Sequence, residues 1–168
     1  MTPITARGFR DIMPEEALLR ERISRHVSDV FSSFGYLPIE TPLLEEEATS
    51  SLLGEISSTP FSLFDGDGNL LQVRSDLTIQ VARLVATRLK NAQTPIRLRY
   101  VAPVLREQAR NMGKSRQFTQ LGIELIGAGG IGADIEILSL AEKALSAADV
   151  KDWKIVCGNV KALSLIAI

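Results

Sequence analysis

The residues best suited to chemistry lie at alternate positions of one short segment. In RQFTQLGIELIG, from Arg116 to Gly127, alternate residues would share one face of a β-strand. That face carries a cation, an amide and a carboxylate, which are Arg116, Gln120 and Glu124. Three such groups are costly to bury unless each finds a partner. The pattern therefore predicts a polar ligand, such as a small zwitterion, or internal pairing.

An arginine closes the apolar face of the preceding segment, RLRYVAPVLRE. At strand spacing this face would carry Leu98, Tyr100, Ala102, Val104 and finally Arg106. An arginine at the end of a buried row is expected to face a site. A guanidinium group suits a phosphate or a carboxylate, because it can donate two parallel hydrogen bonds to either.

A third candidate position is the start of a predicted helix, Asp76 to Leu89. Its apolar side is formed by residues at helical spacing, Ile79, Ala82, Val85 and Leu89. Asp76 and Thr78 stand at its beginning. Residue type alone favours a helix cap as the role of Asp76. The alternative is a functional role, in which Asp76 holds the ammonium group of a ligand.

The first element expected to position these residues is a helix from Pro14 to Phe34. Pro14 is a typical first residue of a helix, and Gly35 is a typical residue after its end. Its predicted buried stripe is Leu19, Ile23, Val27, Val30, Phe31 and Phe34. His26, the only histidine, falls off this stripe and is predicted to be exposed. A short strand is expected over Leu37 to Ile39.

Further along the chain, a hairpin, a helix and a strand are predicted. Strands from Phe61 to Phe64 and Leu70 to Arg74 flank the turn sequence DGDG. A helix is expected over Asp134 to Ala147 and a strand over Trp153 to Val156. The run Glu45 to Glu47 is predicted to be a solvated helix start. Mixed strands and helices without βαβ repetition favour an α+β fold with an antiparallel sheet flanked by helices.

The sequence GAGGIG, from Gly127 to Gly132, matches the G-x-G-x-x-G of dinucleotide-binding proteins. The strand before it is polar on one face, unlike a buried parallel strand, and no acidic ribose ligand follows the next predicted strand. These glycines are therefore interpreted as a turn between a strand and a helix.

Composition limits the possible classes of protein. The 168 residues have 19 basic and 20 acidic side chains and a net charge of −1, so nothing compels binding to nucleic acid or an anionic membrane. Cys157 is the only cysteine, which excludes a disulfide framework, and no cluster indicates a metal or a cofactor. Without an apolar targeting or membrane-spanning run, a cytoplasmic location is expected.

Five ordered segments resemble the histidyl-tRNA synthetase family of class II, together with its paralogue, the regulatory subunit of ATP phosphoribosyltransferase. The motif 2 pattern covers Arg106, Gly113, Arg116 to Gln120 and Gly122 to Glu124. The other four segments are RGFRDIMP at Arg7, FGYLPIETP at Phe34, VRSDLT at Val73 and ADIE at Ala133. The resemblance implies a class II synthetase-like antiparallel sheet flanked by helices, corresponding to the N-terminal part of that fold.

The resemblance also implies roles for individual residues. The residues matching Asp76, Thr78, Gln120 and Glu124 line a histidine pocket in that family, and the residue matching Arg106 approaches a phosphate. Arg116 is likewise a candidate for binding phosphate or carboxylate. No catalytic residue and no metal ligand is implied. The helix and strand of motif 1 imply a homodimer.

Departures from the synthetase pattern favour the regulatory paralogue. The synthetase turn usually reads Arg-Pro-Glu-Gly-Thr, whereas this chain has Asp76 in place of the glutamate. Gln108 stands where the synthetase has a glutamate two positions after its motif 2 arginine, so that negative charge is lost. The expectation is a non-catalytic, histidine-sensing subunit that partners the catalytic subunit of short-form ATP phosphoribosyltransferase.

Residues 1–168 are expected to form a partial catalytic-core domain with motifs 1 and 2 and without motif 3. Two alternatives to the regulatory subunit stay open from the sequence. One is a fragment of a histidine-tRNA ligase, and the other is a structural dimerisation module.

Overall fold

A computed structural model describes residues 5–46, 60–107 and 115–158. In chain order the elements are helix α1 (Pro14–Ser33), strands β1 (Leu37–Pro38), β2 (Leu44–Glu46), β3 (Phe61–Phe64) and β4 (Leu70–Val73), helix α2 (Thr78–Arg88), strands β5 (Ile96–Leu105) and β6 (Gln117–Ile126), and helix α3 (Ile131–Ala147). Among the helices in these ranges, none combines the length and the apolar composition that a membrane span requires.

The described strands form two small sheets. The first has the order β1-β5-β6, in which β5 and β6 are antiparallel over their whole length and β1 runs parallel to β5. The second has the order β2-β4-β3 and is antiparallel throughout. Its β3–β4 pair is the predicted hairpin, in which Phe64 is opposite Leu70. The α+β prediction is therefore confirmed.

The first sheet separates two apolar clusters. On one face, Leu98, Tyr100 and Val104 of β5 pack with residues of α2 and its N-terminal flank, Leu77 and Val81. On the other face, Leu121, Ile123 and Leu125 of β6 pack against a cluster from α1, α3 and the residue before β1, namely Val27, Phe31, Tyr36 and Leu140. Helices therefore cover both faces of β5 and β6, and each face contributes alternate residues to one of the clusters.

A polar group fastens α3 to the first sheet on the α1 side. The Arg97 Nε and Nη2 atoms each donate a hydrogen bond of 2.8 Å to the Glu136 carboxylate, and the Tyr36 hydroxyl donates a third of 2.8 Å. Arg97 and Tyr36 hold the pKa of Glu136 down to about 2 against the opposing effect of burial. Burial and the neighbouring carboxylate raise the pKa of Tyr36.

Arg74 joins the two sheets at the end of β4. Its Nε donates to the Pro103 carbonyl and its Nη1 to the Thr41 carbonyl, both at 2.8 Å. The Leu105 amide in turn donates to the Arg74 carbonyl at 3.1 Å. Burial lowers the pKa of the Arg74 guanidinium. This crossing fixes the turn that leads from β4 into α2.

Several sequence predictions need correction. Glu45 and Glu46 lie in β2 and do not start a helix; Glu45 pairs with Arg83 at 2.6 Å, so its charge is satisfied in a strand. Glu47 is outside the described residues. No strand forms over Trp153 to Val156, and α3 begins at Ile131, three residues before the predicted start.

Three other predictions on the helices and glycines can be compared with the structure. The apolar stripe of α1 is buried in its middle, whereas Leu19 at its start and Phe34 at its end are exposed. His26 is exposed as predicted. The glycine-rich segment after β6 is a turn with positive φ at Gly127 and Gly130. It follows an antiparallel strand, whereas a dinucleotide-binding motif would follow a parallel one.

Candidate polar site

Asp76 lies in the turn between β4 and α2 and uses its two carboxylate oxygens differently. Its Oδ1 accepts the Thr78 amide at 2.7 Å, which satisfies one of the free amides at the start of α2. Its Oδ2 accepts Gln120 Nε2 at 3.0 Å and Arg106 Nη2 at 3.3 Å. Asp76 therefore supports the start of α2, where Leu77 is the N-cap residue, and also faces β6; its role in holding an ammonium group stays a prediction.

Arg106 is held in place from three sides. Its Nε donates to the Ser75 carbonyl at 2.8 Å, its Nη2 contacts Asp76, and its guanidinium carbon lies 5.0 Å from the centre of the Phe118 ring. About a third of the side chain is exposed, so the guanidinium is oriented and still accessible. Such a group can bind an anionic oxygen without first paying much conformational entropy.

Gln120 leaves a buried acceptor free. Its Nε2 must face Asp76, because a carboxylate accepts only from a donor, and this orientation turns Oε1 away. The Oε1 atom is buried and has no hydrogen-bond partner within residues 5–46, 60–107 and 115–158. An unsatisfied buried carbonyl costs about 1–3 kcal/mol, so it points to a missing N–H or O–H donor.

Glu124 lies on the same face, two strand positions further along β6 from Gly122. The Tyr100 hydroxyl donates to Glu124 Oε1 at 3.3 Å. Burial is the main cause that raises the pKa of Tyr100 to about 12; a hydrogen bond from Thr78 opposes it, while the charges of Glu124 and Asp76 add to it. Tyr100 thus links the start of α2 to β6, because it packs with Leu77 and donates to Glu124.

We refer to Asp76, Thr78, Arg106, Gln120 and Glu124 as the polar cluster. Gln120 and Glu124 lie on the face of β6 that packs against α2, Arg106 directly follows β5, and Asp76 and Thr78 lie before and at the start of α2. The cluster contains two carboxylates and one guanidinium, so it has a surplus of negative charge. This arrangement favours a ligand that brings a positive group to Asp76 and Glu124 and an anionic group to Arg106.

Arg116, the remaining sequence candidate, occupies a different environment. Its guanidinium lies over two aromatic rings, 4.3 Å from the Phe61 centre and 5.8 Å from the Phe9 centre. It pairs with Glu107 and donates to the Arg7 carbonyl at 3.0 Å. Arg116 lowers the pKa of Glu107 accordingly. Only 13% of the side chain is exposed, so Arg116 fastens the N-terminal segment and β3 to β6.

The structure thus brings together five of the six residues singled out in the sequence and sets Arg116 apart. Sequence reasoning missed two contributors, Tyr100 and Phe118. Alternation alone predicts that Tyr100 is an ordinary apolar member of its strand face, and it assigns no role to Phe118. A glycine in the facing strand could have indicated the position of Tyr100, because Gly122 lies directly opposite it and leaves room for its ring.

Comparison with known proteins agrees with this architecture. The family model for histidyl-tRNA synthetase matches residues 8–167. A protein from Thermoanaerobacter pseudethanolicus named ATP phosphoribosyltransferase regulatory subunit is 40% identical over 154 residues, which is 92% of this chain and 40% of the relative. The chain therefore spans about two fifths of the length of that relative.

Solved structures show the same likeness. A Bacillus halodurans protein described as an ATP phosphoribosyltransferase regulatory subunit/histidyl-tRNA synthetase superposes with a TM-score of 0.80 at 37% identity, over 90% of this chain and 39% of the other. Apo histidyl-tRNA synthetase from S. aureus gives 0.72 at 26% identity, over 88% and 40%. The expected class II synthetase-like fold is confirmed, and the chain belongs to the histidyl-tRNA synthetase family.

Proposed function

We propose that this chain is part of a non-catalytic regulatory subunit of ATP phosphoribosyltransferase that senses histidine. The observation that carries the proposal is the buried, unpartnered Oε1 of Gln120 beside the Asp76 carboxylate. An α-ammonium group would supply donors to both. The names of relatives such as the one from Thermoanaerobacter pseudethanolicus supply the biological setting.

Histidine matches the polar cluster group by group. Asp76, Thr78 and Gln120 would accept hydrogen bonds from the ammonium group, and Glu124 would accept one from an imidazole N–H. Arg106 would bind the carboxylate. Arg116 remains a candidate for a phosphate or carboxylate, but it would have to leave Glu107 to bind one.

The absence of catalysis is supported by chemistry at the sequence level. Adenylate formation needs groups that hold ATP and its metal, and Gln108 replaces a carboxylate that the synthetases carry after their motif 2 arginine. Histidine recognition does not depend on that charge. We therefore propose that residues 1–168, as part of a class II synthetase-like catalytic-core domain, retain a binding site and have lost an activity.

The partners follow from the same proposal. They are histidine, the catalytic subunit of short-form ATP phosphoribosyltransferase and a second copy of this chain, joined through α1 and β1. We place the assembly in the cytoplasm and propose no role for nucleic acid. A histidine-tRNA ligase is the second candidate, because the matching family model carries that name.

Calorimetry separates these candidates. Histidine, ATP and the catalytic phosphoribosyltransferase chain are titrated separately into the chain and into a chimera in which it replaces the matching residues of the Thermoanaerobacter relative. The proposal requires the chimera to bind histidine and the catalytic chain. Binding of histidine and ATP with adenylate formation would establish the ligase. Binding of none of the three would leave a structural module and refute the proposal.

A further inference from the structure

Tyr100 lies beneath the polar cluster, although the alternating pattern predicts only a buried residue at this position. Its side chain is 4% exposed and packs with Leu98 and Val104 in the cluster below α2. Its hydroxyl emerges from this apolar surrounding and donates to Glu124 at 3.3 Å. A hydroxyl buried in a core needs a partner, and here that partner, Glu124, belongs to the polar cluster.

Gly122 makes this placement possible. It lies opposite Tyr100 in the antiparallel register, and a Cβ atom at Gly122 would come within 2.4 Å of both Cζ and Oη of the ring. The tyrosine ring therefore lies across the β6 backbone, between Gln120 and Glu124. Any side chain larger than hydrogen at position 122 would displace the hydroxyl from Glu124.

We propose that Tyr100 is a positioning residue that selects an imidazole ligand by orienting the Glu124 carboxylate. This inference rests on the proposed histidine site and names a determinant of its specificity. Tyr100 touches no ligand; it acts through one carboxylate oxygen, Oε1, and leaves Oε2 available to accept an N–H. A strong O–H···O bond to a carboxylate is about 2.5–2.7 Å long, and the Tyr100–Glu124 bond is longer. It therefore orients the carboxylate and leaves it able to accept a further hydrogen bond.

The start of α2, where Thr78 lies, is positioned relative to Glu124 in the same way. The Thr78 backbone amide is held by Asp76, and the residue between them, Leu77, packs with Tyr100 in the same apolar cluster. Tyr100 thus fixes the spacing between the aspartate assigned to the ammonium group and the glutamate assigned to the imidazole. A ligand must present two donors at that spacing to satisfy both carboxylates.

The protein offers a matched control. Tyr36 is also a buried tyrosine, 1% exposed, that donates to a glutamate, Glu136, at 2.8 Å. Glu136 lies on the opposite side of the first sheet, facing α1, and is not part of the polar cluster. Tyr36→Phe therefore removes the same chemical group and the same kind of bond without touching the proposed site.

The test measures histidine binding by calorimetry in the chimera described above. Tyr100→Phe is expected to weaken binding about tenfold, the scale for losing one hydrogen bond to a charged group, whereas Tyr36→Phe leaves affinity within about twofold. Gly122→Ala is a second route to the same result, because it displaces the ring and keeps the hydroxyl.

A double-mutant comparison separates positioning from general structural damage. If Tyr100 acts through Glu124, the variant with both Tyr100→Phe and Glu124→Gln binds histidine no more weakly than Glu124→Gln alone. Losses that multiply, or equal losses in Tyr100→Phe and Tyr36→Phe, would overturn the inference while the proposed function stands. If the unmodified chimera binds no histidine, the proposed function fails and this inference fails with it.

Discussion

The ion pair between Arg97 and Glu136 gives the most quantitative prediction for stability. Glu136→Gln removes the charge that receives two hydrogen bonds from Arg97 and one from Tyr36. A carboxyl pKa lowered from 4.5 to about 2 corresponds to about 3 kcal/mol at most. Because Glu136 is 19% exposed and Arg97 is 30% exposed, water screens part of this interaction. We expect a loss of about 2 kcal/mol in the free energy of unfolding at neutral pH.

The pH dependence provides the check on the sign. A group whose pKa is lowered by folding stabilises the folded state above its unfolded value and loses this contribution as the pH falls. The difference between the wild type and Glu136→Gln should be constant above about pH 5 and should shrink between pH 4.5 and about 2.

Urea unfolding followed by circular dichroism at a series of pH values measures this difference. Glu142→Gln is the matched control, since Glu142 lies on the same helix and is exposed. A loss for Glu136→Gln no larger than that of the control, or a loss independent of pH down to pH 3, would refute the reasoning.

Three further predictions concern ligand binding and catalysis. Glu124→Ala should weaken histidine binding by about 2–5 kcal/mol, and His26→Ala should change it little; equal, small effects in calorimetry would mean that the polar cluster is structural. Asp76→Asn should weaken histidine binding more than about tenfold while the unfolding temperature shifts little, since asparagine can still accept the Thr78 amide; a large fall in that temperature with unchanged binding would contradict it. The pure protein should show no histidine-dependent pyrophosphate exchange, and measurable exchange would favour the ligase.

Most of the elements could be predicted because their signals are local. Pro14 and Gly35 mark the ends of α1, the turn sequence at Asp65 marks the hairpin, and period-two alternation marks β5 and β6. Glu45 was misread because consecutive glutamates usually indicate a solvated helix. Its strand is stabilised by Arg83, which lies 38 residues away in sequence and leaves no local trace.

Strand periodicity predicts which polar residues share a face of the sheet. It does not predict which residues from other elements lie next to them. Alternation places Arg116 and Glu124 on one side of an extended chain, but it does not reveal that the Arg116 guanidinium is held by Phe61 and Glu107, away from the polar cluster. Arg106 and Asp76 are 30 residues apart, and they meet because Arg74 joins the ends of β4 and β5. Such a junction depends on tertiary packing, which spacing does not reveal.

The most direct test of the proposed function is the turnover of the catalytic subunit of Thermoanaerobacter ATP phosphoribosyltransferase. It is assayed with and without the chimera, across a histidine titration, and again with a chimera carrying Asp76→Ala and Glu124→Ala. Histidine can shift this enzyme only if it binds one assembly state more tightly than another. The account predicts a histidine response that requires the chimera and is lost in the doubly substituted form. A complex that forms but responds identically with both chimeras would contradict it.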